Sequence, residues 1–380
     1  MAKHLKQFSV AMFRGISDLN VENTSDINIL VGDNNIGKTS VLEALMLLRN
    51  PEYFINTVNV ARLRDTRNFY SPFRVSNYES FLSLFSKNSY EKMQLQVEGK
   101  LDETSVSIKI NGTVEKVMVD LFEIEKHSFS IGKKSGFFQL GEQTETPMFV
   151  GKYTALINNK THKEQINFGF YSSVTGNKVR SASIRELIYT SPTEHTSGNI
   201  FNKVIRTKGL KESVIKILQT FDKNIVDLLI LKNEQTNIPV EYINHKKLGN
   251  MPISTYGDGI KKVILIADKI ARAADGILLI DEIETAIHAK SYETIFSFII
   301  KACKEFNVQL FATTHSIEAL DAILKTQYSE KTGKYDGTNK DLIRIITLRK
   351  DKRSGKTLSR VLSGAEVFKN RENFGFEVRI

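Results

Sequence analysis

The spacing of apolar residues changes along the chain, and each change predicts an element. Residues 6–13, Lys-Gln-Phe-Ser-Val-Ala-Met-Phe, read as an opening strand that stops at Arg14-Gly15. Ile27 to Val31 is a short apolar run with β-branched residues, the pattern of a buried strand. From Val41 the apolar residues recur at helical spacing, which predicts a helix over 39–49 ending near Asn50-Pro51. Residues 53–87 predict short helices with a loop around Ser71-Pro72. Between 91 and 175 the period becomes two. Strands are expected at 93–98, 105–110, 114–120, 136–140, 147–157 and 165–172, with Asn111-Gly112 as a hairpin turn.

Further on, a strand at 185–189 ends at Ser191-Pro192, a helical region runs through 220, and strands are expected near 226–231 and 238–243. Beyond Pro252 the pattern predicts helix 260–273, strand 276–280, helix 290–306, strand 308–313 and helix 316–325. Strands alternating with helices over 253–325 argue for an α/β sheet. The expected organisation is a discontinuous head of residues 1–50 and 185–345, an inserted arm or lobe at 51–184 that is β-rich over 91–175, and a basic C-terminal tail at 346–380.

The chemistry begins where the second strand ends. Gly32 to Thr39, Gly-Asp-Asn-Asn-Ile-Gly-Lys-Thr, matches G-x-x-x-x-G-K-[ST] between a predicted strand and a predicted helix, the order a P-loop requires. The glycines let backbone N–H groups point into one concavity, and the helix N-terminus adds partial positive charge, so a triphosphate is favoured there. Gly32, Asn34, Asn35, Gly37, Lys38, Thr39 and Ser40 are the predicted nucleotide-binding set, with Lys38 facing the β- and γ-phosphates and the Thr39 hydroxyl on Mg²⁺.

A second anchor lies at Ile277-Leu-Leu-Ile-Asp281-Glu282, an apolar strand ending in two carboxylates. An Asp at the carboxyl end of a strand, in the crevice where α/β folds bind ligands, is the expected partner of Thr39 on Mg²⁺. Glu282 is placed to polarise an attacking water. His315, in Ala312-Thr-Thr-His-Ser316, ends a further strand of the same sheet. It is expected to face the γ-phosphate and to hydrogen-bond the nucleophilic water or Glu282. His195 and His245 lack such a context and read as structural residues.

Composition narrows the class. At 380 residues there is room for roughly two or three domains and a large core. With 41% hydrophobic and 25% charged residues the chain reads as soluble and globular. No apolar run approaches the roughly 18–20 residues of a membrane span, and the N-terminus Met-Ala-Lys-His-Leu-Lys-Gln lacks the apolar core of a signal peptide. The single cysteine, Cys303, excludes an internal disulfide framework and reads as a buried thiol. A cytoplasmic protein without membrane association is expected. The formal charge is +10, and residues 344–380 alone carry ten Lys/Arg against four Asp/Glu. Such a run is either a solvated face or a contact with phosphate, from nucleic acid or an acidic partner.

These motifs carry a family resemblance. A P-loop, a Gly-x-Gly stretch opening a helix (Gly257-Asp258-Gly259), a strand ending Asp-Glu and a strand ending in His resemble the ABC-type ATPase heads, closest to the DNA-associated branch of RecF, the SMC-like proteins and the OLD (overcoming lysogenization defect) ATPases. Phe13-Arg14-Gly15-Ile16, the stretch from Asp281 to His288 and Thr313-Thr314-His315-Ser316 look especially like the OLD group. The implied fold is an α/β P-loop head with a mixed sheet. The resemblance implies that Gly257, Asp258 and Gly259 form a signature capping the γ-phosphate held by the opposite protomer. The usual serine falls at Gly257, and Ser254 or Thr255 could supply the missing hydroxyl. Ala286-Ile287-His288 would be the D-loop, and Arg14 resembles an arginine that approaches the nucleotide. OLD proteins often carry a Toprim nuclease domain after the ATPase. No Asp-x-Asp pair follows the helix at 316–325, so nuclease activity is not expected from this chain.

The reading that follows is an ATPase that dimerises around ATP and controls DNA engagement or a separate effector such as a nuclease, in DNA repair or defence against mobile DNA. A regulatory binding module with negligible turnover remains open. A transport ATPase would need a transmembrane partner and fits the β-rich insertion poorly. A GTPase should carry Asn-Lys-x-Asp, and none occurs.

Overall fold

The structure is a computed structural model that describes residues 4–64, 75–86, 92–120, 143–170, 172, 184–197, 200–233, 236–329, 334–335 and 342–374. In chain order the first half forms β1 (Leu5–Phe13), β2 (Ile16–Val21), β3 (Ile27–Val31), α1 (Lys38–Met46), α2 (Phe54–Ala61), α3 (Asn77–Leu82), β4 (Met93–Leu101), β5 (Thr104–Asp120), β6 (Gln143–Ile157) and β7 (Lys160–Gly169). Then come β8 (Leu187–Thr190), α4 (Leu210–Phe221), β9 (Ile225–Lys232), β10 (Pro239–His245), β11 (Gly249–Pro252), α5 (Asp258–Arg272), β12 (Ile277–Ile280), α6 (Tyr292–Glu305) and β13 (Gln309–Thr313). The last elements are α7 (Ile317–Lys325), β14 (Tyr328–Ser329), β15 (Lys334–Tyr335), β16 (Ile343–Lys350), β17 (Thr357–Ser363) and α8 (Gly364–Phe374).

One six-stranded sheet has the order β17-β16-β3-β13-β12-β8 and is parallel except for β17. Every residue of β3, β12 and β13 is buried, as expected of strands covered on both faces. Alternate side chains feed two cores. Ile27, Ile29, Leu278, Ile280, Leu310 and Ala312 pack with α4 to α7, whereas Leu30, Ile277, Leu279 and Phe311 pack with α1 and the inner face of a second sheet. Parallel strands of this kind bring their carboxyl ends to a common edge, where α/β sheets bind ligands.

The second sheet is antiparallel, in the order β2-β1-β4-β5-β6-β7. The stretch expected as an inserted arm is therefore hydrogen-bonded to the N-terminal strand, with Phe8 opposite Gly99 and Val10 opposite Val97. The C-terminal stretch behaves similarly, since β16 pairs with β3 inside the central sheet. A small third sheet, β11-β10-β9, leads into α5, and its last strand at 249–252 has no counterpart in the sequence reading. No helix among the described residues is long and apolar enough to cross a membrane. The expected strand at 136–140 and the loop at Ser71-Pro72 lie outside the described residues.

The hairpin turn expected at Asn111-Gly112 is corrected by the structure. Both residues sit mid-strand in β5, Gly112 facing Met93 of β4 and Gly151 of β6, so the expected strands 105–110 and 114–120 are one. The turns fall instead at Asp102, with φ 52°, and Asn158, with φ 50°. The glycine serves close approach: a Cβ on Gly112 would lie 2.5 Å from the Phe149 ring and from the Val150 carbonyl oxygen. Gly112→Ala should therefore destabilise the fold by about 1–3 kcal/mol through overpacking. The check is a lower urea midpoint at unchanged slope.

Candidate nucleotide site

The loop between β3 and α1 is shaped by its glycines. Gly32 has φ 143° and Gly37 φ 105°, with Asn35 also left-handed at φ 62°. A side chain at Gly32 would meet the Leu348 carbonyl oxygen of β16 at 2.5 Å, so the loop lies directly against that strand. Helix α1 starts at Lys38, and its N-cap Gly37 offers no side-chain acceptor. Its first N–H groups are left for a ligand, the arrangement that favours an anion. Asn34 and Asn35 are exposed at the mouth of the loop.

Lys38 is buried and donates to the carbonyls of Gly32 and Asp33, both at 2.8 Å. Burial pushes its pKa below the usual lysine value, while Asp281, Asp33, Glu282 and Glu284 pull the other way. Thr39 Oγ1 lies 3.0 Å from both carboxylate oxygens of Asp281, at the end of β12. Thr313, ending β13, donates from Oγ1 to Asp281 at 2.7 Å and accepts from the Glu282 N–H at 2.8 Å. A hydroxyl and a carboxylate suit Mg²⁺, a hard cation that keeps several waters and takes its remaining ligands from phosphate. Among the described residues no cluster of three or more His, Cys, Asp or Glu side chains provides an all-protein cage. The donor set therefore fits a magnesium ion shared with nucleotide.

Glu282 is left-handed at φ 48°, a conformation rare for a residue with a side chain. Its Oε2 accepts from Thr285 Oγ1 at 3.0 Å, and its Oε1 lies 4.0 Å from His315 Nε2. Both side chains are part-exposed, 40% and 38%, which leaves them open to a water and a phosphate. His315 is held from behind, its backbone N–H donating to Glu284 Oε1 at 2.8 Å. Three strand ends thus converge Lys38, Thr39, Asp281, Glu282 and His315 on one edge.

Other predicted residues stand differently. Arg14 Nε contacts the fully buried Glu43 carboxylate at 2.9 Å, and its Nη1 donates to Ser83 Oγ at 2.9 Å. Arg64 hydrogen-bonds the P-loop segment: its Nη2 donates to Ser40 Oγ at 3.0 Å and its Nε reaches Glu43 at 2.6 Å. No spacing in the sequence singles out Arg64. Thr285, Glu284 and Thr313 lie within the stretches 281–288 and 313–316, where residue type alone does not mark them out. Gly257 is the N-cap of α5, exposed and without a side-chain cap, and Asp258 beside it is exposed. Gly259 lies close to the Ala286 carbonyl oxygen, so the signature stretch and the expected D-loop adjoin within one chain. Thr255 Oγ1 donates to the Pro252 carbonyl. His245 is satisfied by Asp222 at 3.0 Å and by the N–H groups of Lys247 and Leu248. His195 is buried.

A parallel sheet whose carboxyl edge carries a P-loop, a strand-end Asp-Glu and a strand-end His defines an α/β P-loop ATPase. The family model described as an AAA ATPase domain (AAA_15) matches residues 4–319, and the chain belongs to that family. It is similar to the "ATP/GTP phosphatase" of Helicobacter pylori, 23% identical over 357 residues that cover 84% of this chain and 88% of that protein. An uncharacterized protein of Methanocaldococcus jannaschii is 35% identical over 127 residues, 32% of this chain and 98% of that one. Among solved structures, the SMC head domain from Thermotoga maritima aligns with TM-score 0.41 at 12% identity, covering 95% of this chain and all of that one. An SmcHead bound to the C-winged helix domain of ScpA aligns with TM-score 0.46 at 12% identity, over 95% and 98% of the two chains.

Lys38→Ala removes the one ammonium seated in the loop. It should weaken ATP binding by about 10- to 100-fold, the range of a lost charge-assisted contact, as measured by calorimetric titration in Mg²⁺. Wild-type affinity in that variant would overturn the site.

Proposed function

We propose that this chain is an OLD-type ATPase that binds ATP with Mg²⁺, closes as a homodimer around two nucleotides, and uses closure to control DNA engagement or a separate effector such as a nuclease. DNA repair and anti-phage defence are the contexts, the second favoured. The observation that carries the catalytic part is the Thr39–Asp281–Thr313 junction, with Glu282 and His315 beside it. A relative named an ATP/GTP phosphatase supports turnover of nucleoside triphosphates.

In this reading, Thr39 and Asp281 would hold Mg²⁺, which would supply positive charge to offset that of the bound triphosphate. Lys38 exchanges the Gly32 and Asp33 carbonyls for phosphate oxygens. Glu282, oriented by Thr285, takes a proton from the attacking water, and His315 hydrogen-bonds the water or the γ-phosphate. The uncapped, exposed start of α5 at Gly257 supports a role for Gly257, Asp258 and Gly259 as the cap of a partner protomer's nucleotide.

For DNA, the support is the hairpin tip between β16 and β17. Asp351 organises it by accepting from the N–H groups of Arg353 and Ser354, and Gly355 supplies a left-handed turn at φ 69°. Lys350 is tied to the Gly15 carbonyl at 3.2 Å and Lys356 to Asp18 at 3.1 Å, while Lys352 and Arg353 are exposed. Cations on a rigid tip suit a phosphate backbone. The experiment that separates this function from a regulator with negligible turnover is ATP hydrolysis measured with and without DNA.

Glu282→Gln should keep ATP binding, stall hydrolysis and trap the dimer, because the amide cannot take up a proton. Size analysis with ATP checks it: a monomeric, freely hydrolysing variant would sink both assignments. His315→Ala should slow turnover with a smaller effect on binding. Replacing Lys350, Lys352 and Arg353 by Ala should flatten the salt dependence of DNA affinity by up to about 3 in logarithmic slope, with DNA-free hydrolysis nearly unchanged. An unchanged slope would remove the tip from the DNA footprint.

A further inference from the structure

Helix α5 starts at the exposed Gly257 and Asp258 and then runs inward. One turn in, Lys262 is fully buried, 0% exposed, among the largest enclosed side chains in the molecule. Among the described residues its ammonium makes one hydrogen bond, to the Pro192 carbonyl at 3.2 Å. Gly259, one turn earlier on the same helix, lies against the Ala286 carbonyl oxygen, so α5 packs on the turn that carries Glu284. The carboxylates whose charge acts on Lys262 are Glu284, Asp281 and Glu282 from that side and Glu194 from the loop after β8. His195 lies on the same loop, itself buried. Glu284 contributes the largest attraction to Lys262. Its Oε2 is buried with no hydrogen-bond partner among the described residues, while its Oε1 accepts from the His315 N–H at 2.8 Å.

From this juxtaposition we infer that Lys262 is a positioning residue for hydrolysis: through Glu284 it sets His315 and, beside it, Glu282, and so links the signature end of α5 to the catalytic edge. The inference rests on the proposed ATPase function. A buried ammonium with one carbonyl partner is costly, and an apolar residue of similar volume is often neutral or stabilising in such a place. Burial pulls the Lys262 pKa down to about 8 despite four carboxylates nearby. Packing alone does not account for the lysine. Its value lies in the charge it presents to Glu284, whose Oε1 accepts from the His315 backbone N–H. Docking of a phosphate at the N-terminus of α5 would shift the helix that carries this charge, and Glu284 would transmit the shift to His315.

The alternative is that Lys262 only anchors the 191–197 loop. The full chain separates the two, by comparing ATP turnover, ATP affinity and melting temperature of the wild type, Lys262→Met, Lys262→Arg, Glu284→Gln and the Met/Gln double variant. The expected result for Lys262→Met is an equal or higher melting temperature, ATP affinity within about threefold and kcat reduced by about tenfold or more, the scale of a misplaced catalytic group. Lys262→Arg should recover most of that loss. Glu284→Gln should match Lys262→Met, and the double variant should be no slower than the slower single one, because both changes cut the same link. Turnover of Lys262→Met or Glu284→Gln within about twofold of wild type overturns the inference, as does multiplication of the two losses in the double variant. If Lys262→Met does not fold, Lys262→Arg and Glu284→Gln decide. A wild-type chain that hydrolyses no ATP fails the underlying ATPase reading, whereas an active wild type beside an equally active Lys262→Met fails this inference alone.

Discussion

Asp281 is the point on which the site depends. Its carboxylate accepts from Thr39 at the start of α1 and from Thr313 at the end of β13, while its own backbone N–H bonds to Thr190 at the end of β8. Three strands and the P-loop helix are thereby registered to one another at a single buried residue. Hydrogen bonds to an ionised group contribute about 1.5–3 kcal/mol each. Two of them at one carboxylate are enough to keep the Thr39 hydroxyl and the Asp281 oxygens converged.

The rigidity behind this junction comes from the two cores. Strands β3, β12 and β13 send alternate side chains to opposite faces, so a shift of one strand would disturb both layers at once. That stiffness lets the chain hold Glu282 in a left-handed conformation, which costs about 1–3 kcal/mol for a residue of this type. Thr313 holds its N–H and Thr285 its carboxylate, so the strain becomes a fixed direction for the side chain.

The N-terminal strands and the β16–β17 hairpin meet at the same site. The Leu348 carbonyl of β16 packs on Gly32, while Ser17 of β2 donates to the Gly355 carbonyl at 3.0 Å. The C-terminal hairpin is therefore part of the wall of the nucleotide loop and also joins the two large sheets. Its exposed cations reach solvent from a base that the P-loop itself helps to hold.

The sequence alone determined what depends on neighbours in the chain. A glycine-bounded loop between a strand and a helix, an apolar strand ending in Asp281-Glu282, and a strand ending in His315 all carry their signal within a few residues, because backbone freedom, strand period and ligand chemistry are local there. What depends on pairing was not legible in the chain alone. Asn111-Gly112 looks like a turn, yet becomes strand once the Phe149 ring needs the space of an absent side chain. Residues 51–184 read as an inserted arm or lobe, β-rich over 91–175, and the local pattern carries no sign that β4 pairs with β1. Arg64 and Glu43 meet only because α1 and the chain after α2 fold back together, and Lys262 is buried only because the loop after β8 packs on it. Local pattern sets which conformations a segment prefers, whereas burial and partner choice are set by residues far away in the chain, and only the packed structure brings those into contact.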